Sequence, residues 1–129
     1  IMVVKIPVSW GELFDKLTIL EIKQARIDAP QKLENINKEL EALRQVCRGA
    51  QLPGAPLQVL IDELRRINES LWDIEDDIRA CERDKDFSET FIALARAVYK
   101  TNDRRAEIKL RINRLLGSDL IEEKSYEAY

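Results

Sequence analysis

Apolar residues recur every three or four positions along most of this chain, the period of a helix with a buried face. Four segments carry the pattern. In the first, Trp10, Leu13, Leu17, Leu20 and Ile27 form the stripe, and Phe14, Ile19 and Ile22 widen it, so this helix buries more than one face. Ser9 opens it, because "SWGE" fits a capping box in which Ser9 and Glu12 satisfy the first free amides. It stops near Asp28, since Ala29 precedes Pro30 and is steered out of helical geometry. The second helix spans 30–48, with Leu33, Ile36, Leu40, Leu43 and Cys47 on its stripe and Gly49 as its stop. The third is the most regular: Leu57, Leu60, Leu64, Ile67, Leu71, Ile74, Ile78 and Cys81 alternate three and four without a miss. That is a heptad seam, which predicts coiled-coil-like packing. The fourth, 88–116, continues the seam as Phe91, Leu94, Val98, Thr101, Arg105, Ile108, Ile112 and Leu115, and Gly117 closes it.

The connections set the topology. "RGAQLPGAP" (48–56) holds two glycines and two prolines and is the one clear loop. "RDKDFSE" (83–89) is a short polar turn, with Asp86 or Ser88 as the next cap, and a turn this short returns the fourth helix along the third. The expected fold is therefore all-α: one domain over 1–129, with a first antiparallel helical hairpin at 9–48, a loop at 49–56 and a long hairpin at 57–117. Residues 1–8 form an extended segment. Its β-branched "MVVKIPV" (2–8) reads as an edge strand that Pro7 ends. A tail at 118–129 offers Leu120, Ile121, Tyr126 and Tyr129 for docking on the bundle.

Composition agrees with helices and narrows the chemistry. Charged residues make up 35% of the 129 and aromatics 6%, a mix suited to helical bundles. Histidine is absent, which removes the commonest general base, the usual zinc ligand and every Ser-His or Cys-His pair. A net charge of −3 gives no pull toward nucleic acid or anionic membrane. No apolar run approaches the ~20 residues of a membrane span, and "IMVVKIPVSW" lacks the cleavage site of a signal peptide. Cys47 and Cys81 fall on apolar stripes as free thiols, so the expected compartment is the cytoplasm.

Charge also separates the two long helices. Residues 57–84 hold nine acids against four bases, and residues 87–117 hold seven bases against three acids. Opposite-sign helices side by side are expected to pair and fix their register. Against that background Thr101 and Arg105 stand out as polar residues on the fourth helix's apolar seam. With the turn centred near residue 86, they lie level with Leu71 and Ile67, where Glu69, Asp73 and Asp76 share a face. The first expectation is that Arg105 pairs with Glu69 or Asp73 as a register device, replaceable by a well-packed leucine. The alternative joins those acids to Asn102 and Asp103 as a Mg²⁺ or Mn²⁺ site of a hydrolase or binder of a phosphorylated small molecule, to which Glu12 and Asp15 add a further pair. Outside that alternative no cofactor is expected. Arg96, Lys100, Arg104 and Arg111 form a basic stripe that meets the acidic helix or water rather than RNA, because few aromatics accompany it.

Four stretches, "PVSWGELFDKLTILEIK" (7–23), "LWDIEDDIRACE" (71–82), "VYKTNDRRAEIKLRIN" (98–113) and "EEKSYEAY" (122–129), together resemble a family of small bacterial proteins classed as a domain of unknown function. The resemblance implies a stand-alone helical protein and no particular activity. It also places Glu12, Asp15, Asp73, Asp76, Asn102, Asp103 and Arg105 within the family-like segments. The strong signals all concern helix packing. The function expected from them is a protein-interaction or assembly module, with homodimerisation to cover apolar faces too wide for a thin core, and no nucleic-acid or membrane partner.

Overall fold

The computed structural model describes residues 3–129. Four helices account for all regular structure in them: α1 (Trp10–Arg26), α2 (Pro30–Arg48), α3 (Ala55–Arg83) and α4 (Glu89–Leu116). The helix boundaries follow the periodicity closely. The expected edge strand does not form. Residues 3–9 run without regular structure, Val3 and Val4 are each 82% exposed, and Met2 lies outside the described residues. A strand needs a neighbour, and no other described segment supplies one.

Ser9 caps α1 as its sequence predicts, its Oγ accepting from the Glu12 amide at 3.1 Å. The capping box is only half made, because the Glu12 carboxylate turns to Lys109 of α4 instead. α1 is the central element. It packs against α2, α3 and α4, whereas α2 approaches no other helix than α1 among the described residues. That position explains its broad apolar surface. Leu13, Phe14, Leu17 and Leu20 join Ile36 and Leu40 of α2, Leu64 and Ile67 of α3, and Ile108 and Ile112 of α4 in one core. Gln24 bonds Asn37 and Glu21 faces Arg44, so α2 folds back along α1.

α3 and α4 form the most extensive helix pair, joined by the turn at 84–88. At 29 residues α3 is ~44 Å long. The last turn of α1 lies beside Asp73 of α3, where Arg26 bonds it at 2.6 Å and lies over Trp72. Past that level the hairpin projects as an arm of two helices. Between residues 71 and 100 Cys81 alone is buried, and the seam residues Ile74, Ile78, Phe91, Leu94 and Val98 are half-covered. The charge asymmetry also resolves differently from expectation. Among the described residues no ion pair joins α3 to α4, since the seam between them is apolar and their charges point outward; the pairs form within a helix or reach α1 and the tail.

Two helix ends close by the same device. At α4, Gly117 takes φ 62°, its amide donates to Arg114 O, and Ser118 N–H donates to Asn113 O. At α3, the amides of Lys85 and Asp86 donate to Glu82 O and Cys81 O in the same pattern. Here the left-handed position is held by Lys85 at φ 55°, a conformation that costs a side-chain-bearing residue energy and glycine almost none. Lys85→Gly should therefore raise the unfolding free energy by about 0.5–1 kcal/mol. A denaturant titration showing a loss instead would mean that the Lys85 side chain holds the turn.

Candidate functional site

The polar positions of the α4 seam meet α1. Thr101, Arg105, Lys109 and Asn113 recur at a spacing of four, and all are buried or half-buried. Opposite them stand Gly11, Glu12, Asp15 and Thr18 of α1. Asp15, 1% exposed, is the centre. Arg105 grips it with both arms of its guanidinium: Nε donates to Oδ1 at 2.9 Å and a terminal nitrogen donates to Oδ2. From α3, the Asn68 side-chain amide donates to Asp15 Oδ1 at 3.0 Å and to Thr18 Oγ1 at 2.9 Å, and the Thr18 hydroxyl donates to the Asp15 carbonyl. Burial pushes the Asp15 pKa up, but the bonds from Arg105 and Asn68 and the charges of Arg105 and Lys109 outweigh it and hold the carboxyl below its ordinary value.

Lys109 forms a second node one turn along. It bonds Glu12 at 2.9 Å and Glu122 of the tail at 3.4 Å, and stands 3.9 Å from Asp15. Burial works against its charge, yet these carboxylates keep its pKa above the usual lysine value. Lys109 in turn pulls Glu122 below the usual carboxylate range against the cost of burial. Glu12, Asn102, Arg105, Lys109, Glu122 and Lys124 border a cleft of about 250 Å³ with both signs of charge on its walls.

The end of α4 and the start of the tail complete the joint by capping α1. Asn113 accepts from the Gly11 amide at 2.7 Å, and Ser118 accepts from the Trp10 amide at 3.0 Å. With Ser9 on Glu12, the three amides that open α1 are all satisfied. Such contacts require the helices to touch backbone to backbone. A Cβ at residue 11 would lie 2.5 Å from Lys109 O and 2.9 Å from Asn113 Oδ1, so only glycine fits. From Ser118 the tail runs back along α4, through Glu122 on Lys109 to Tyr129, whose ring meets Tyr99 edge-on and whose hydroxyl the neighbouring Asp103 holds above its usual pKa. Of the four groups expected to dock, Tyr129 meets the bundle at Tyr99, whereas Leu120, Ile121 and Tyr126 remain exposed.

The structure thus gathers some of the sequence-derived candidates and separates others. Glu12, Asp15 and Arg105 converge, and Asn102 stands at the edge of their cleft. Thr101 is buried on the seam. Arg105 does not pair with Glu69 or Asp73, because its side chain leans to the α1 flank and Asp73 is already bonded by Arg26. Asp73 and Asp76 are exposed, Glu69 is half-buried on α3, and Asp103 turns to Tyr129. Among the described residues no three carboxylates or thiols stand close enough to hold a metal ion, so the acids required by the metal reading do not meet. Lys109, Asn113, Asn68 and Gly11 were not singled out by sequence. The strict four-residue spacing from Thr101 to Asn113 is the signal that marks the α4 members.

Among the described residues every buried side-chain nitrogen and oxygen has a partner, and no thiol belongs to the cluster. Its arrangement is that of a structural joint between α1, α3, α4 and the tail. No described helix is long and apolar enough to cross a membrane. A family model described as a family of unknown function, DUF6165, matches residues 4–129, and the chain belongs to that family. No curated protein matches it, and no solved structure does.

Three outcomes follow from the joint. Arg105→Leu should cost about 3–5 kcal/mol, because it strands a buried carboxylate, while Asp15→Leu combined with Arg105→Leu should lose far less than the two single losses together. Simple additivity in denaturant titrations would show that the pair is not coupled. Asp15 has a lowered pKa in the folded chain, so its stabilisation is present above about pH 4 and is lost as pH falls through the folded value. The acid limb of stability should therefore flatten in Asp15→Asn, and an unchanged limb would remove Asp15 as its source. Gly11→Ala should destabilise by about 1–3 kcal/mol even though alanine is the better helix former, and a gain would mean that α1 and α4 can separate without loss.

Proposed function

We propose that this DUF6165 member is a protein-interaction or assembly module that works through the projecting arm of α3 and α4. The observation that carries the reading is the arm's uncovered apolar surface. The seam residues from Ile74 to Val98 are half-covered, and at the tip Phe87 and Ile92 are 52% and 53% exposed beside Phe91, whose ring meets Phe87 edge-on at 5.3 Å. A two-helix arm gains little stability from surface left in water, and a rigid helical pair with an apolar edge is a surface that another protein can cover. The body of the molecule favours the same reading, since its buried polar groups are engaged in holding the helices together.

The test is site-specific photocrosslinking in cells that make the protein. A crosslinker at Ile92 should give a discrete adduct, and one at the exposed Glu34 of α2 should not. Equal labelling at both positions, or no discrete adduct at Ile92, would overturn the proposal.

A further inference from the structure

We propose that the cleft between α4 and the tail binds a small phosphate-bearing molecule, and that the tail carboxylate Glu122 takes its place when no ligand is present. The proposal concerns the body of the molecule and stands independently of the arm. Its first support is the way Glu122 is held. Lys109 reaches it from α4 and Lys124 from the tail itself, each at 3.4 Å, and its side chain is 45% exposed on a segment without regular structure. Two long, half-open ion pairs hold a carboxylate weakly. The contacts beneath are shorter: Lys109 bonds Glu12 at 2.9 Å, and Arg105 grips Asp15 with two donors. Glu122 can therefore leave without opening the helix contacts.

The second support is the set of donors around the cleft that have no acceptor. Arg105 commits Nε and one terminal nitrogen to Asp15, and its other terminal nitrogen has no partner among the described residues. The side-chain amide of Asn102 has none either. Every buried side-chain nitrogen among the described residues is bonded, so these donors lie open to solvent. Both residues line the cleft together with Lys109 and Lys124. Lys109 is 8% exposed, and the carboxylates around it keep it charged there. Arg105 feels the charge of Glu122 as well as that of Asp15. Four donor groups thus border one small space, and a single carboxylate supplies it with only two oxygens.

Charge and size define the ligand. With Glu122 in place, Arg105, Lys109 and Lys124 are balanced by Glu12, Glu122 and the Asp15 behind them. When Glu122 swings out, three bases face two acids, and an incoming anion restores neutrality. A phosphate brings more oxygens than a carboxylate, and arginine with lysine is a donor set suited to it. The cleft's volume of about 250 Å³ equals that of about eight water molecules. That admits a phosphate on a short carbon chain, whereas a nucleotide would leave its base outside.

Titration of the intact chain with sodium phosphate, followed by nitrogen–proton NMR, tests the site. The side-chain amide of Asn102 and the backbone amides of Glu122 and Lys124 should shift saturably, with a dissociation constant on the order of millimolar. Sodium chloride at equal ionic strength should not move them, and sodium acetate should bind several-fold more weakly. Glycerol phosphate should bind at least as well as inorganic phosphate; its failure to bind would restrict the site to the free ion and overturn the ligand class. Glu122→Gln should tighten phosphate binding about tenfold by removing the internal competitor, and Lys124→Glu should abolish it. Both residues lie on the tail outside the helices, so both variants should keep the wild-type circular dichroism. Shifts that chloride or acetate reproduces, a Glu122→Gln chain that binds no tighter, or a Lys124→Glu chain that binds unchanged would each overturn the proposal.

Discussion

A carboxylate removed from water costs several kcal/mol unless donors surround it, and in this fold that carboxylate is Asp15. Its donors come from two other helices, Asn68 of α3 and Arg105 of α4. Because the guanidinium meets it as a two-pronged fork, only one rotation of α1 and one height of α4 satisfy the charge. The apolar core alone is more permissive: a helix with leucine and isoleucine on several faces can slide or turn by one residue and still bury much of its surface. Asp15 turns that permissive contact into a specific one. Gly11 adds a steric condition to the electrostatic one, since α4 can come within bonding distance of the helix opening only where no Cβ intervenes.

The body and the arm therefore differ in kind. Around Asp15 and Lys109, charge, shape and hydrogen bonding all agree on one geometry. Past Asp73 the hairpin is organised mainly by an apolar seam whose residues are half-covered. The charges follow the same division, paired across helices in the body and outward-facing along the hairpin. A fold that satisfies its interior polar groups so thoroughly, and leaves a long hairpin half-dressed, has its unmet requirements at one end.

Most of the helical architecture was legible because it depends on local signals: Ser9, Pro30, Gly49 and the unbroken alternation from Leu57 to Cys81. The anomaly at Thr101 and Arg105 was legible too, but its meaning was not. Periodicity shows that Arg105 lies on a buried stripe without showing which flank of the stripe α1 occupies, and in a three-helix contact the flank decides the partner. Glu69 and Asp73 were the nearest acids by register; Asp15 was the nearest in space, brought there by α1 lying against both long helices. The opposite net charges of α3 and α4 misled for a related reason, since net charge carries no direction around a helix. Asn113 and Gly11 were hidden because an asparagine beside an isoleucine, or a glycine early in a helix, is unremarkable until another backbone approaches it.

The capping of α1 bears on the order in which the molecule takes shape. The amides of Trp10 and Gly11 are satisfied by Ser118 and Asn113, 108 and 102 residues further along the chain, and Asp15 waits for Arg105, 90 residues on. The α3–α4 hairpin needs only its own turn to begin and can zip from Asp86 outward, whereas α1 depends on partners distant in sequence. Until they are in place its opening amides and its acid are served by water. Completion of α1 therefore has to await the segment from Arg105 to Ser118 that supplies its partners.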